Sequence, residues 1–196
     1  RSSAASDVYK RQMLARDGYL NPDDITQPDF GKNTDYKAAR EFKLPLIKRA
    51  ADNFDIKNRD FKSFLRENAY WLEDYALFTA LKAVYRKKSF TELNDELKYR
   101  FPAAIERFKK THAEEILFYE ITQFFFFTQY FRLKAYANEN GIKIIGDIPF
   151  YVQLESADVW SNPDIFRLGR DMTPVLVAGV PPDICLLYTS PSPRDM

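Results

Sequence analysis

The sequence predicts an α/β fold in which helices form most of the chain, and three observations carry this prediction. Between residues 59 and 140, long stretches repeat apolar side chains at helical spacing. A short β-branched run, IKII at residues 142–145, then follows a glycine, and Gly146 and Asp147 end it at once. Because helix, glycine, strand and turn succeed one another in an α/β unit, we expect residues 142–145 to form a buried parallel strand.

Composition indicates a globular protein with a sizeable core. The chain has 196 residues, of which 45% are hydrophobic and 29% are charged. Its 29 basic and 28 acidic residues leave a net charge of +1, which gives no electrostatic reason to expect nucleic acid or a membrane as partner. Since no apolar run approaches the ~20 residues that span a bilayer, we expect a cytoplasmic protein. The aromatic residues, 16% of the chain, fill a core or line a sugar-binding cleft.

The two ends of the chain differ in character from the rest. Residues 1–12 are polar and lack any periodicity, and residues 184–196 change composition abruptly. Both stretches resemble translated adaptor or vector sequence, so we expect a native segment at residues 13–183 between a non-native leader and tail. A flexible native terminus is the alternative at each end. The single cysteine lies in the tail, and the sequence has no metal-ligand spacing, so we expect neither metal nor cofactor.

Helical spacing divides the first half of this segment into two predicted helices. Thr34 is a candidate cap for the first, and Pro45 is expected to end or kink it near Leu44. The second helix begins near residue 59. Its apolar face is formed by Trp71, Tyr75, Phe78, Leu81 and Tyr85.

The longest predicted helix precedes the strand. Pro102 divides the charged stretch before it into two short pieces. Thr111 and Glu114 form a capping-box pattern at its start, and Gly141 stands where a glycine ends a helix. The FFFF run at residues 124–127 indicates a core rather than a ligand site, because a helix with phenylalanine on several sides is buried on more than one face.

Asp147 is the candidate functional residue that position alone indicates. Enzymes of the α/β class place their chemistry where parallel strands end, and Asp147 follows the predicted strand. A turn or a helix cap explains the same aspartate equally well. The Gly-Val-Pro-Pro-Asp turn at residues 179–183 is stiffened by two prolines, which suits a loop that positions a substrate.

Several long motifs resemble the 4-alpha-glucanotransferase family, also called amylomaltases or disproportionating enzymes. The segments KIIGDIPFYV, ESADVWSNPDIF and VAGVPPD follow one another in family order. Upstream, DYKAAREFKLPLIKRA, ENAYWLEDYALFTALK and QFFFFTQYFRLKAYANENGIKI also resemble that family, so the likeness runs from about residue 20 to residue 183. Glu155 stands where the family pattern has aspartate, and residues 89–100 lack its Trp-rich pattern.

The resemblance implies a fold and a reaction. The fold is a partial (β/α)₈ TIM barrel of the α-amylase-like type with a large helical insertion, and the fragment itself is expected to be mostly helical. The reaction transfers α-1,4-glucan segments between maltooligosaccharides through a covalent glycosyl-enzyme intermediate, with retention. The family's nucleophile and acid/base lie on later strands, so no catalytic residue is assigned in this chain. Asp74 and Glu114 are expected on solvated helix faces or at caps instead.

The same resemblance implies a set of substrate-binding residues. Asp147 matches an active-site aspartate at the end of the third barrel strand, where it would hold the sugar ring at the cleavage point. Tyr151 and Trp160 are further candidate contacts, and packing in the core is the alternative for each. The start of a loop that covers the cleft is matched by Gly179, Val180, Pro181, Pro182 and Asp183.

Three other functional hypotheses stay open. They are an α-glucan hydrolase of the amylase superfamily, a non-catalytic helical binding module, and an inactive truncated helical fragment. The expected partners are maltooligosaccharides and α-1,4-glucans, and the sequence makes no statement about oligomeric state. We expect the isolated chain to be unstable or to aggregate, and to be inactive, because a barrel that lacks strands exposes a sheet edge and apolar helix faces.

Overall fold

The computed structural model describes residues 11–25, 36–86, 88–146 and 152–176. In these ranges the regular structure is helical, and the one β-type pairing is an isolated antiparallel bridge between Leu168 and Pro174. Short 3-10 turns lie at Pro22–Ile25, Phe90–Glu92 and Pro163–Ile165. The α-helices are α1 (Arg11–Arg16), α2 (Tyr36–Asp52), α3 (Arg59–Val84), α4 (Asp95–Lys98), α5 (Pro102–Thr111), α6 (Ala113–Glu139) and α7 (Ala157–Ser161).

The chain divides into two compact units. The first comprises residues 1–73 and 114–146, and the second comprises residues 74–113 and 147–196. The division falls inside α3, whose first half belongs to the first unit and whose second half belongs to the second.

An aromatic cluster forms the core of the first unit. Phe54, which follows α2, is 6% exposed and contacts the rings of four other residues. These rings belong to Tyr19, Phe61, Phe124 and Phe125, at centroid distances of 5.4, 5.2, 5.5 and 5.4 Å. The FFFF run therefore packs in a core, as its pattern predicts.

A half-buried carboxylate lies beside this core. Glu120 of α6 is only partly exposed, and burial raises the pKa of its carboxyl group. The nearby carboxylate of Glu73 on α3 raises the pKa further, because two negative charges repel each other.

The second unit is built around the second half of α3. Ala76, Leu77, Phe78, Ala80 and Leu81 are all buried. Against them pack side chains from the shorter elements, among which Phe90 and Trp160 are completely buried.

Pro102 is the first residue of α5, so the predicted division of the charged stretch at this proline is confirmed.

Gly141 ends α6 in the predicted way. Its φ of +75° lies in the left-handed region, which a glycine adopts without steric cost. The amide of Ile142 donates to the carbonyl of Ala137 at 2.9 Å, and the amide of Gly141 donates to Asn138 at 3.0 Å. This pair of bonds is the Schellman pattern that satisfies the last carbonyls of a helix.

Pro45 does not end α2 near Leu44, which was one of its two expected effects, and the other, a kink, stays a prediction. Helix α2 continues through Pro45, although a proline removes one backbone bond at a cost of about 3 kcal/mol. Leu46 and Ile47 directly after it are buried, and burying one such side chain contributes about 1.5–3 kcal/mol, so packing offsets the loss. The predicted cap Thr34 lies outside the described residues.

The capping box predicted at Thr111 is also wrong. Thr111 is the last residue of α5, and its hydroxyl donates to the carbonyl of Arg107 at 2.9 Å. Because the hydroxyl binds back into its own helix, it does not cap α6, which begins at Ala113. Glu114 lies exposed in the first turn of α6, as expected for a solvated helix end. A complete capping box occurs instead at Ser89 and Glu92.

The predicted strand at residues 142–145 is the largest correction to the predicted fold. These residues adopt no regular structure, and Ile142, Ile144 and Ile145 are 61%, 40% and 93% exposed. A strand needs a neighbouring strand to bond its amide and carbonyl groups, and the described ranges contain none. The local β-branched pattern alone therefore does not produce a strand here.

Candidate functional site

The structure describes one of the predicted substrate-binding residues. Trp160 lies in α7 of the second unit. The others lie outside the described residues: Asp147, Tyr151, Gly179, Val180, Pro181, Pro182 and Asp183. Their contacts with a glucan stay predictions, and the described part of the site is built outward from Trp160.

Trp160 is packed into the second unit. It is 0% exposed, and its indole Nε1 donates to the carbonyl oxygen of Leu97 at 3.0 Å. The ring of Phe78 lies 5.5 Å away, centroid to centroid. Ser156 caps α7 by accepting a hydrogen bond from the amide of Val159 at 3.2 Å, which sets where the helix starts. This surrounding agrees with the packing alternative for Trp160, whose contact with a glucan stays untested.

Arg100 lies over the indole ring. Its guanidinium carbon lies 4.2 Å from the centre of the Trp160 ring, a cation–π distance. Its Nη2 donates to Oδ1 of Asp74 on α3 at 2.5 Å, and its Nη1 is buried without a hydrogen-bond partner among the described residues. Asp74 thus lies on a partly solvated face of α3, with its side chain 37% exposed, and is bound there in an ion pair.

The backbone at Arg100 is strained. Its φ is +56°, in the left-handed region that costs a non-glycine residue roughly 1–2 kcal/mol. Strain of this kind persists where surrounding contacts over-determine the conformation, and it clusters at functional sites. Met172 also has a left-handed φ, of +68°.

Tyr99, directly before Arg100, contacts a turn farther along the chain. The hydroxyl of Tyr99 donates to the backbone carbonyl of Arg170 at 2.8 Å. Lys98 lies with its ammonium 5.0 Å from the Tyr99 ring and 3.0 Å from Asp95, and the hydrogen bond to Asp95 raises the pKa of Lys98. Residues 98–100 thus reach both α7 and the turn at Arg170.

That turn is a small hairpin-like structure over residues 167–175. The amide of Val175 donates to the carbonyl of Arg167 at 2.9 Å, and the amide of Gly169 donates to the carbonyl of Thr173 at 2.8 Å. The carboxylate of Asp171 accepts hydrogen bonds from the hydroxyl and the amide of Thr173, at 2.7 and 3.1 Å. These bonds favour the charged form and lower the pKa of Asp171.

Glu155 connects the residues just before α7 to α3 and to the 3-10 turn at Phe90–Glu92. Its carboxylate accepts from Lys82 of α3 at 2.5 Å, from the backbone amide of Phe90 at 3.3 Å and from the hydroxyl of Ser89. The side chains of Lys82 and Glu155 are 18% and 35% exposed, so the ion pair is partly shielded from water. The glutamate that departs from the family pattern therefore makes specific contacts.

A shallow cleft of about 280 Å³ lies between residues 98–100 and residues 160–172. The groups around it hold peptide segments against one another, and both basic side chains that line it are paired with carboxylates. Within the described ranges, no cluster of three or more His, Cys, Asp or Glu side chains could hold a metal ion. No helix in these ranges is both long and apolar enough to cross a bilayer.

Sequence reasoning missed Tyr99, Arg100 and Glu155. Charged and tyrosine side chains on or near short helical pieces look like a solvated surface in a sequence, and their partners lie 26 to 73 positions away in the chain. The one available signal was that residues 89–100 depart from the family pattern while remaining rich in caps and charges.

Comparison with solved structures gives the class of the protein. The chain matches "Amylomaltase from Streptococcus agalactiae in complex with acarbose" with a TM-score of 0.83 and 35% sequence identity. The match covers 91% of this chain and 37% of that one. The described helices therefore have the fold of the corresponding part of an amylomaltase.

Sequence comparison then identifies the family. A family model described as 4-alpha-glucanotransferase matches residues 4–186, and the chain belongs to this family. The 4-alpha-glucanotransferase of Clostridium butyricum is 38% identical over 176 residues, which are 87% of this chain and 36% of that protein. The chloroplastic/amyloplastic enzyme of Solanum tuberosum is 35% identical over 178 residues, 88% of this chain and 31% of its own length. The chain thus spans about a third of the relatives that it matches.

Proposed function

We propose that this chain is part of a 4-alpha-glucanotransferase that transfers α-1,4-glucan segments between maltooligosaccharides. The observation that carries the proposal is the family match over residues 4–186. The fold shared with an amylomaltase that was solved with acarbose supports it independently of local motifs.

The proposed architecture is a (β/α)₈ barrel of the α-amylase-like type, to which this chain contributes mostly helices. In such a barrel the segment at residues 142–147 would be a strand paired with neighbouring strands, and Asp147 would lie at its carboxyl end. The exposed isoleucines of the segment are consistent with a surface that other strands cover.

The proposed chemistry is a retaining transfer in two steps. One carboxylate attacks the anomeric carbon, and the glucan leaves as a second group protonates the glycosidic oxygen. The second group then removes the proton from the 4-hydroxyl of an acceptor sugar, which attacks the anomeric carbon and releases the enzyme carboxylate. We assign neither carboxylate to this chain. Its proposed part is to bind the glucan through Asp147, Tyr151 and residues 179–183.

The cellular location of the protein is a proposal. A cytoplasmic location is the expectation from the sequence, whereas the Solanum tuberosum relative is described as chloroplastic/amyloplastic.

Product analysis tests the proposed reaction. The protein expressed from the parent gene, read past Asp183, is incubated with maltotriose, and the products are separated by chromatography. A transferase yields glucose together with longer maltooligosaccharides, while the number of reducing ends stays constant. If reducing ends increase and no longer products form, the protein is the alternative α-glucan hydrolase. If neither change occurs while an active relative, assayed in parallel, forms longer products, the proposal is wrong.

Calorimetric titration of the protein expressed from the parent gene with acarbose tests the contribution of these residues. We expect saturable binding. Replacing Asp147 with asparagine is expected to weaken binding, and Asp52→Asn, at an exposed position of α2, serves as the control. Equal affinity of the two variants would remove Asp147 from the proposed site.

A further inference from the structure

We propose that Tyr99 and Arg100 are positioning residues that hold the two segments next to the predicted glucan contacts. The expected effect on glucan binding rests on the proposed function, whereas the structural part of the inference rests on contacts within the second unit alone. The two residues are consecutive, and each reaches a different segment: Arg100 reaches α7 and Tyr99 reaches the turn at residues 167–175.

The two held segments are those adjacent in sequence to the predicted contacts. Helix α7 begins at Ala157, six positions after Tyr151. The turn at residues 167–175 ends four positions before Gly179. A displacement of either segment therefore passes along only a few peptide units before it reaches a predicted contact. A shift on the order of 1 Å at a binding site is enough to cost a large factor in activity.

Arg100 connects α7 to the long helix of the second unit. Its guanidinium binds Asp74 of α3 through Nη2 and lies over the ring of Trp160, so one group contacts both partners. The indole nitrogen of Trp160 is bound to the carbonyl of Leu97, which prevents rotation of the ring in its plane. The position of α7 is thus determined at both the face and the edge of one side chain.

The strained backbone at Arg100 supports a requirement for its side chain. With φ at +56°, glycine would adopt this conformation without cost. Arginine is present instead, and it makes the two contacts to Asp74 and Trp160 that glycine cannot make. The strain is therefore maintained by the same contacts that position α7.

Tyr99 supplies the second connection. Its ring is 40% exposed, so it contributes little to a core, yet its hydroxyl donates to the carbonyl of Arg170. This bond joins Tyr99 to Arg170, which lies inside the turn at residues 167–175. The last residues of the turn lead on to Gly179. Tyr99→Phe removes this bond and keeps the ring.

Hydrogen exchange followed by mass spectrometry tests the structural part on the protein expressed from the parent gene. Arg100→Lys keeps the charge beside Asp74 and removes the guanidinium that lies over Trp160, and we expect exchange at residues 155–162 to accelerate about tenfold. Exchange in α5 should change by less than about twofold, because α5 lacks these contacts. Arg107→Lys is the matched control, since Arg107 pairs with Glu96 at 2.6 Å on the exposed surface.

Tyr99→Phe separates the two connections and keeps the proposal testable if Arg100→Lys does not fold. It should accelerate exchange at residues 167–175 and leave α7 unchanged. Uniform acceleration across the second unit in both variants would mean a general loss of stability and would overturn the positioning role. Unchanged exchange in both segments would overturn it as well.

Affinity gives the functional readout. With every variant of the protein expressed from the parent gene fully folded by circular dichroism, Arg100→Lys is expected to weaken acarbose binding about tenfold, whereas Arg107→Lys leaves it unchanged. If the unaltered protein binds no acarbose, the proposed binding function fails, and the exchange data alone decide whether Tyr99 and Arg100 position these segments. If acarbose binds equally well to all variants while exchange accelerates, the segments do not carry the glucan contacts, and the proposal is refuted.

Discussion

Truncating Phe54 to alanine should remove a large part of the stability of the first unit. The side chain is 6% exposed and touches four aromatic rings at 5.2 to 5.5 Å. Burying a phenylalanine contributes about 1.5–3 kcal/mol, and the cavity left by truncation brings the usual loss for Phe→Ala to about 3–5 kcal/mol. Each lost aromatic pair adds about 0.5–1.5 kcal/mol, so we expect the upper end of this range. A small domain has roughly 5–15 kcal/mol in total, so this single change approaches the limit for folding.

Urea denaturation followed by circular dichroism measures the loss. Tyr70→Ala is the control, because Tyr70 is an aromatic residue of α3 in the same unit but is 77% exposed. It should change the free energy of unfolding by no more than about 0.5 kcal/mol. A loss below about 1 kcal/mol for Phe54→Ala, with the control unchanged, would refute the view that Phe54 is the centre of this core. It would equally contradict the assignment of the FFFF run to that core.

Three further predictions concern charge, backbone and anchoring. Burial raises the folded-state pKa of Glu120, so its charge destabilises the fold as pH rises through that pKa; Glu120→Gln should raise the melting temperature at pH 7 and have no effect below about pH 4. Equal melting temperatures at pH 7 would contradict this. Gly141→Ala should cost about 1 kcal/mol in urea denaturation because of its left-handed φ, whereas Gly146→Ala, with equally open space at its Cβ and no left-handed φ, should be nearly neutral. Glu155→Gln should cost about 1 kcal/mol, and a double-mutant cycle with Lys82→Met should recover most of it as coupling; purely additive losses would show that the pair contributes nothing.

Local signals in the sequence predicted features that depend on neighbouring residues. Gly141 ends α6 because the left-handed conformation and the two backbone bonds of the cap involve residues within five positions. Pro102 starts α5 for the same kind of reason, since its ring fixes φ at a helical value and its missing amide is not needed there.

Features that depend on distant residues were predicted wrongly or not at all. Pro45 does not end α2, because the burial of the following side chains outweighs a local cost that the sequence shows by itself. The hydroxyl of Thr111 can accept a hydrogen bond from an amide as a cap or donate one to a carbonyl of the preceding turn, and the sequence does not indicate which helix it joins. Residues 142–145 have the composition of a strand, yet pairing requires partners that a local pattern does not specify.

The contacts around Trp160 explain how this region keeps its fold while residues 89–100 depart from the family pattern. Three of the bonds that hold it use backbone groups, namely the carbonyl of Leu97, the amide of Phe90 and the carbonyl of Arg170. A backbone group is present whatever the side chain, so substitutions at those three positions leave the bonds possible. The requirement then falls on the side chains that reach them, which are Glu155, Trp160 and Tyr99, and on Arg100, whose guanidinium makes its contacts through side-chain atoms. Substitution at these four positions should therefore disturb the region more than equal changes at exposed positions of residues 89–100.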